Sequence, residues 1–241
     1  SGIIYPFLTY KGRAGYLKEK IIDAYPGEDI SLEENIKRLA GVPLAHEPGE
    51  GQTYGMNMDV LGRVIEVLDG RPFAKYMREE IFSPLKMKDT GFAVPKNKWN
   101  RVSSVYTTKN GKLALFNESV FDEKAPNNKP EWWKRNPDKI ALGGAGLIST
   151  AIDYALFLQM LVNGGELDGK RILGRKTVNM ISRGIHQSNP DSSTASGLSV
   201  SVVTNSEKHL HPESQGSFNG GGYFSGVGLG EEWLEDSASE E

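Results

Sequence analysis

From Tyr54 to Gly70 the chain reads YGMNMDVLGRVIEVLDG, and Val60, Leu61, Val64, Ile65, Val67 and Leu68 recur at the spacings that keep one face of a helix in a core. Gly70 supplies the stop, and Pro72 opens a second helix at a position where its missing N–H costs nothing. That helix carries Phe73, Tyr76, Met77 and Ile81 and stops at Pro84. Earlier, Ser31-Leu32-Glu33-Glu34 has the form of a capping box, with the Ser31 hydroxyl accepting a first-turn N–H while Glu34 reaches back. Leu32, Ile36 and Leu39 then share a face, predicting a short amphipathic helix over residues 31–40. Thr150 and Asp153 repeat the box, and Ile152, Ala155, Leu156, Gln159 and Met160 carry a helix to Gly164-Gly165.

The periodicity fails over residues 95–139, which gather Asn, Lys and Pro and hold the adjacent Trp132 and Trp133. A long irregular excursion within a domain is usually functional or mobile, and here it reads as a wall or lid of a cleft. The two tryptophans then serve either as apolar contacts for a ligand or simply as a packed pair. A tight passage of small residues follows at Gly143-Gly144-Ala145-Gly146. Leu198 to Val202 alternates with period two, as a half-buried strand does, and Phe218 to Ser225 reads as the next strand. Two strands do not make a stable sheet. The remainder, GVGLGEEWLEDSASEE, is acidic and expected to be disordered. The organisation expected is therefore a mostly helical region over 1–186, a partial sheet over 187–225 and a tail over 226–241.

Composition narrows the function classes. With 241 residues, 38% hydrophobic and 24% charged, the chain has ample material for a core. A net charge of -3 without a basic stripe gives no electrostatic case for nucleic acid. The absence of cysteine excludes disulfides and thiolate chemistry and leaves the compartment open. No apolar run approaches the roughly 18 residues of a membrane span, and SGIIYPFLTY has no signal-peptide pattern, so the chain reads as mature or internal sequence.

Several pattern matches carry no chemistry. Gly164-x-x-x-x-Gly169-Lys170 imitates a phosphate loop, but Arg171 replaces the Ser or Thr that would hold magnesium, and a helix precedes it. His209 and His211 would share one face of a strand without a third metal ligand at a convincing spacing. Asn117-Glu118-Ser119 fits a glycosylation acceptor, relevant only to a secreted eukaryotic protein. Tyr54, at the mouth of a helix in a Gly-containing turn, is fixed in position, which suits either plain packing or chemistry.

Four blocks change that balance. They are VPLAHEPGEGQTYG (Val42 to Gly55), IFSPLKMKDTGF (Ile81 to Phe92), GGAGLISTAIDYALFLQMLVNGGELDGKRIL (Gly143 to Leu173) and GSFNGGGYFS (Gly216 to Ser225). In this order they resemble the class C β-lactamase-like serine hydrolases, which include β-lactamases, low-molecular-weight penicillin-binding proteins, D-aminopeptidases and carboxylesterases. The resemblance runs from Ser1 to about Ser225. It implies an α/β (α+β) fold of the β-lactamase/transpeptidase type, a helical domain packed on an antiparallel sheet that is incomplete in this chain.

The resemblance also implies roles. Tyr54 aligns with the family tyrosine of Y-x-N, a base whose ordinary pKa of about 10 requires a nearby cation, the family's lysine, to stabilise the phenolate. Here the triplet is Tyr54-Gly55-Met56, and Met56 lacks the amide that the family asparagine offers a β-lactam side chain, which favours the esterase branch. Asn219-Gly220-Gly221-Gly222-Tyr223 resembles N-W-G-G-Y with Gly220 in place of the tryptophan, making Gly221 and Gly222 candidates for the oxyanion hole. Ser1-Gly2-Ile3 matches the end of a family turn reading HTSGI, so the S-x-x-K nucleophile segment is expected ahead of residue 1. Ser83-Pro84-Leu85-Lys86 is a decoy: its context matches a family segment without chemistry, and Lys86 stands where the family usually has glycine. The expected reaction is acyl transfer on a small-molecule ester, amide or β-lactam, with no metal or organic cofactor. Trp132 and Trp133 would contact the acyl group. Other readings are a β-lactamase or D-amino-acid peptidase, a truncated non-catalytic binding protein, or a chain complemented by another that supplies the nucleophile.

Overall fold

In a computed structural model of the chain, the residues described are 1–6, 13–23, 28–51, 53–109, 111–115, 131–134, 139–181, 183, 194–196, 198, 200–203 and 218–220. They fall into two compact units, one built from Ser1–Ser83 and Lys88–Thr150, the other from Pro84–Met87 and Ala151–Ser225.

The first unit holds four helices, α1 (Arg13–Lys18), α2 (Leu32–Ala40), α3 (Asn57–Asp69) and α4 (Phe73–Met77). Ser31 caps α2 as its sequence dictates, accepting the Glu34 N–H at 3.1 Å. Glu34 itself turns along the helix to Arg38 at 3.2 Å instead of reaching back. Leu39 buries on a cluster with Ile4, Tyr5, Tyr16, Ile21 and Met56, while Leu32 joins a second cluster with Ile22, Phe73, Phe92 and Leu142. Ile36 packs against both, so α2 joins two small cores into one unit.

A buried polar clasp ties α2 to the extended segment 21–23. Asn35 is fully buried, and its side chain accepts the Ile22 N–H at 2.9 Å and donates to the Ile22 carbonyl at 2.8 Å. Both backbone groups of Ile22 are thereby satisfied where water has no access.

Helix α3 forms as its periodicity predicts and ends at Gly70, which adopts a left-handed φ of 85° and donates its N–H to the Glu66 carbonyl at 2.9 Å. The face it buries is not the predicted one. Leu61, Val64, Val67 and Leu68 are exposed, Leu68 by 82%, and the buried residues are Asp59 and Gly62. A side chain at Gly62 would begin 3.3 Å from Leu32 and 3.4 Å from Phe73, so the helix comes close by having nothing at that position. Val60 and Ile65, which flank it, pack on the first and second cluster respectively.

The helix predicted after Pro72 continues beyond α4 as a π-helical turn, Arg78–Phe82. Within the irregular stretch lie a 3₁₀ turn at Lys96–Arg101, a hairpin of β1 (Tyr106–Lys109) and β2 (Lys112–Leu115), and a short turn at Trp132–Lys134. Asp89 fastens the first of these, pairing with Lys98 at 2.5 Å and Arg101 at 2.8 Å, hydrogen bonds that hold its carboxyl below the usual range.

The second unit contains α5 (Ala151–Val162), a hairpin of β3 (Glu166–Leu167) and β4 (Lys170–Arg171), α6 (Arg175–Ile181), and an antiparallel sheet of β5 (Thr194–Ser196), β6 (Val200–Val203) and β7 (Phe218–Gly220). The glycines that imitate a phosphate loop end α5 and turn the hairpin. In the sheet, Ala195 faces Val202 and Val202 faces Phe218, with β6 in the centre. The alternation at 198–202 thus belongs to a strand that starts two residues later, and a third strand, β5, comes from the Ser- and Asn-rich stretch. Residues 221–225 of the second predicted strand, the tail 226–241, Asn117, His209 and His211 lie outside the described residues.

Ser83 closes the π-helical turn, its N–H on the Arg78 carbonyl at 2.8 Å. Lys86 adopts φ of 60°, the left-handed region that explains why glycine suits this position, and its ammonium pairs with Asp168 at 2.7 Å. Neither feature prepares Ser83 as a nucleophile. Among the described residues, no helix is long and apolar enough to cross a membrane, and no cluster of three or more His, Asp or Glu could hold a metal.

The clasp yields a stability prediction. Asn35→Ala leaves the buried N–H and C=O of Ile22 unpartnered, and at roughly 1–3 kcal/mol for each orphaned group the loss is about 2–5 kcal/mol. Urea unfolding at neutral pH measures it, and a loss under about 1 kcal/mol would show that the clasp is dispensable.

Candidate active site

Tyr54 stands in the turn that leads into α3, and its neighbours in the chain are tied to residues 1–3 by three contacts. The Thr53 hydroxyl donates to the Ile3 carbonyl at 3.2 Å. Gly55 lies so close to the first segment that a Cβ would stand 2.1 Å from the Ile3 oxygen, a contact only glycine permits. Ser1 donates to Asn57, the first residue of α3, at 2.5 Å. The Tyr54 side chain, by contrast, is 47% exposed. Its ring rests on that of Tyr5, with centroids 5.1 Å apart and planes tilted by 45°.

Tyr5 is buried, and its hydroxyl points at Gly144. A Cβ at Gly144 would lie 2.3 Å from the Tyr5 oxygen and 3.0 Å from Asp59 Oδ2, so both groups occupy the space that a side chain at this position would need. Gly143 is equally constrained, with a would-be Cβ 2.1 Å from the Met58 carbonyl oxygen. The small-residue passage 143–146 is therefore laid directly over the first turn of α3. The Gly144 N–H donates to Asp59 Oδ1 at 3.4 Å, while Oδ2 has no hydrogen-bond partner among the described residues.

Asp59 is fully buried. Burial raises its pKa from 3.8 to about 7, the N–H groups of Gly144, Asp59 and Gly143 pull the other way, and the charge of Asp23 adds to the rise. Burial likewise raises Tyr5, with Asp59, Tyr54 and Asp23 adding to the effect, so its hydroxyl keeps its proton at neutral pH.

Of the residues singled out in the sequence, Tyr54 alone is found in this corner with its ring accessible. Met56 is at 0% exposure in the cluster with Ile4, Tyr5 and Tyr16. Trp132 and Trp133 begin a 3₁₀ turn pinned by the Trp133 carbonyl, which accepts the Val94 N–H at 2.8 Å. The Trp132 side chain lies outside the described residues, as do Gly221 and Gly222; β7 is described as far as Gly220. Trp99, not singled out in the sequence, donates to the Val94 carbonyl at 2.9 Å and carries Lys134 over its ring at 5.0 Å.

Sequence reasoning missed Tyr5 and Asp59. A carboxylate in the first turn of a helix favours the helix dipole and is ordinarily exposed, so Asp59 raised no signal. What could have drawn notice is the pairing of that acid with a run of glycines that nothing local requires.

The titration of Asp59 gives a signed prediction. Between about pH 4 and 7 the folded chain holds a proton that the unfolded chain has released, so stability falls as pH rises through this window. The three-unit shift corresponds to on the order of 4 kcal/mol in total. Glu33, Asp69 and Asp89 are lowered by their basic partners and act below that window. Urea unfolding at pH 4.5, 6 and 7.5 should show the decline in the wild type and lose it in Asp59→Asn; the same slope in both would assign it elsewhere.

Comparisons with known proteins bear on the family and the fold. Protein Rv1367c of Mycobacterium tuberculosis is 32% identical over 143 residues, 59% of this chain and 33% of that protein. Esterase EstB of Burkholderia gladioli is 39% identical over 92 residues, 38% of this chain and 23% of that one. The chain thus spans a third or less of these two curated relatives. Among solved structures, EstCE1, described as a hydrolase with promiscuous acyltransferase activity, superposes with a TM-score of 0.73 at 21% identity, covering 89% of this chain and 57% of that one. The fold is therefore of the β-lactamase/transpeptidase type. With residues 10–230 matched by the family described as Beta-lactamase, the chain belongs to that family.

Proposed function

We propose that this chain forms the tyrosine-bearing part of a serine hydrolase that cleaves small carboxylic esters through an acyl-enzyme. The observation that carries the reading is the Tyr54 corner, in which a backbone locked against Ile3 holds an exposed phenol on the buried Tyr5 ring. A proton-transfer group has to be fixed in position yet reachable, and Tyr54 is both. The nucleophile belongs to an S-x-x-K segment outside these 241 residues, whose lysine supplies the cation that stabilises the phenolate.

In the first half-reaction the serine oxygen attacks the ester carbonyl as its proton passes to Tyr54, and the alcohol leaves with that proton. In the second, water gives its proton to Tyr54, attacks the acyl-enzyme and releases the acid, and the serine recovers its proton. On the sequence alone, the oxyanion N–H is assigned to Gly221 or Gly222 and the acyl contacts to Trp132 and Trp133. Met56 supports the ester branch over a β-lactam or D-peptide substrate. It stands where an amide would bind a β-lactam side chain, and it is buried.

The test compares p-nitrophenyl butyrate with nitrocefin as substrates of the protein carrying the S-x-x-K segment. The ester should be preferred in kcat/KM, and Tyr54→Phe should lower kcat by about 10²- to 10⁴-fold. The 241-residue chain alone should take up no fluorophosphonate. Stoichiometric labelling of that chain would place the nucleophile inside it, at Ser83. Preference for nitrocefin would move the protein to the β-lactamase branch, and inertness of both forms would make it a non-catalytic binding protein.

A further inference from the structure

Asp59 has a position that neither the fold nor the proposed chemistry requires. A buried carboxyl is costly unless its oxygens are satisfied, and one of the two here has no hydrogen-bond partner among the described residues. Both oxygens face the passage rather than solvent: Oδ1 takes the Gly144 N–H, and Oδ2 lies 3.0 Å from where a Gly144 Cβ would be. The Tyr5 hydroxyl crowds the same position, 2.3 Å from where that Cβ would be, and on the Tyr5 ring lies Tyr54. Asp59, Gly144, Tyr5 and Tyr54 thus form one continuous stack of four residues.

We infer that Asp59 is a positioning residue for Tyr54: its carboxyl seats Gly144 against the Tyr5 hydroxyl, and the Tyr5 ring so held sets the orientation of the Tyr54 ring above it. This rests on the reading of Tyr54 as the proton-transfer group, because only then does the orientation of its ring matter to the reaction. When ionised, Asp59 offers acceptors only, one of them to the Gly144 N–H. When protonated, it brings a donor that must find an acceptor in the same space. The two forms therefore seat Gly144 and Tyr5 differently. The titratable groups facing Asp59 are Tyr5 and Asp23, with Tyr54 reached through Tyr5. The passage Gly143-Gly144-Ala145-Gly146 contributes none.

The consequence can be read without substrate, by NMR of the 241-residue chain labelled with ¹⁵N-glycine and ring-¹³C-tyrosine, Tyr54 being assigned with Tyr54→Phe. Between pH 5.5 and 8.5 the Gly144 amide and the Tyr54 ring should shift together with one midpoint near 7. In Asp59→Asn, which keeps the shape and the Oδ1 acceptor, both steps should vanish while the chain still melts cooperatively. In Tyr5→Phe, which keeps the ring, the Gly144 step should persist and the Tyr54 step should fall to less than half. A Tyr54 step that survives in Asp59→Asn, or is undiminished in Tyr5→Phe, overturns the proposal. If Asp59→Asn does not fold, the wild type and Tyr5→Phe still decide it, since a Gly144 amide that does not move through neutral pH also overturns it. Failure of the esterase reading would appear separately, as absent turnover with these steps intact.

Discussion

Where Gly55 meets Ile3 and Gly143 meets Met58, backbone lies directly on backbone, with 2.1 Å between a would-be Cβ and the facing carbonyl oxygen. No rotamer change relieves a clash of that kind, because neither partner is a side chain. The first segment, the turn before α3 and the passage 143–146 are therefore held in one arrangement, and Tyr54 takes its position from it. The cores on either side add cohesion but little direction, since burial is non-directional and tolerates repacking. Close approach of main chains does not, and this is why the residues concerned are glycines.

That difference explains what was legible in the sequence. The helices were, because their signals are local: Ser31 caps α2 through its own Glu34 N–H, and Gly70 stops α3 through a left-handed φ. The family was legible from four blocks in order. The buried face of α3 was not, because its apolar period described a stripe while tertiary contact selected Asp59 and Gly62. A period says that residues share a side, but a glycine that admits a neighbouring Leu32 and Phe73 decides which side goes inward.

Helix α3 thus inverts the usual pattern, with a carboxylate inside and Leu61, Val67 and Leu68 outside. Burying Asp59 costs several kcal/mol if it is ionised and unpaired, and that cost is the physical origin of its raised pKa. An asparagine would fit the space, accept the Gly144 N–H and carry no charge. Local rules are broken where a site demands it, and the conflict at Asp59 falls one residue stack away from the exposed phenol.

The geometry of that stack also limits what Asp59 can do. Its carboxyl is wholly enclosed, so it cannot exchange a proton with a substrate, and any influence must pass through Gly144 and Tyr5. Tyr5 is suited to transmit it, since a phenol held protonated by burial remains a donor across the neutral range and its ring moves as one rigid plane. The proposed proton transfer needs the opposite balance at Tyr54, a backbone that cannot move and a ring that solvent and substrate can reach. The two tyrosines meet at 5.1 Å as one buried and one open ring, and the proposed chemistry falls to the open one.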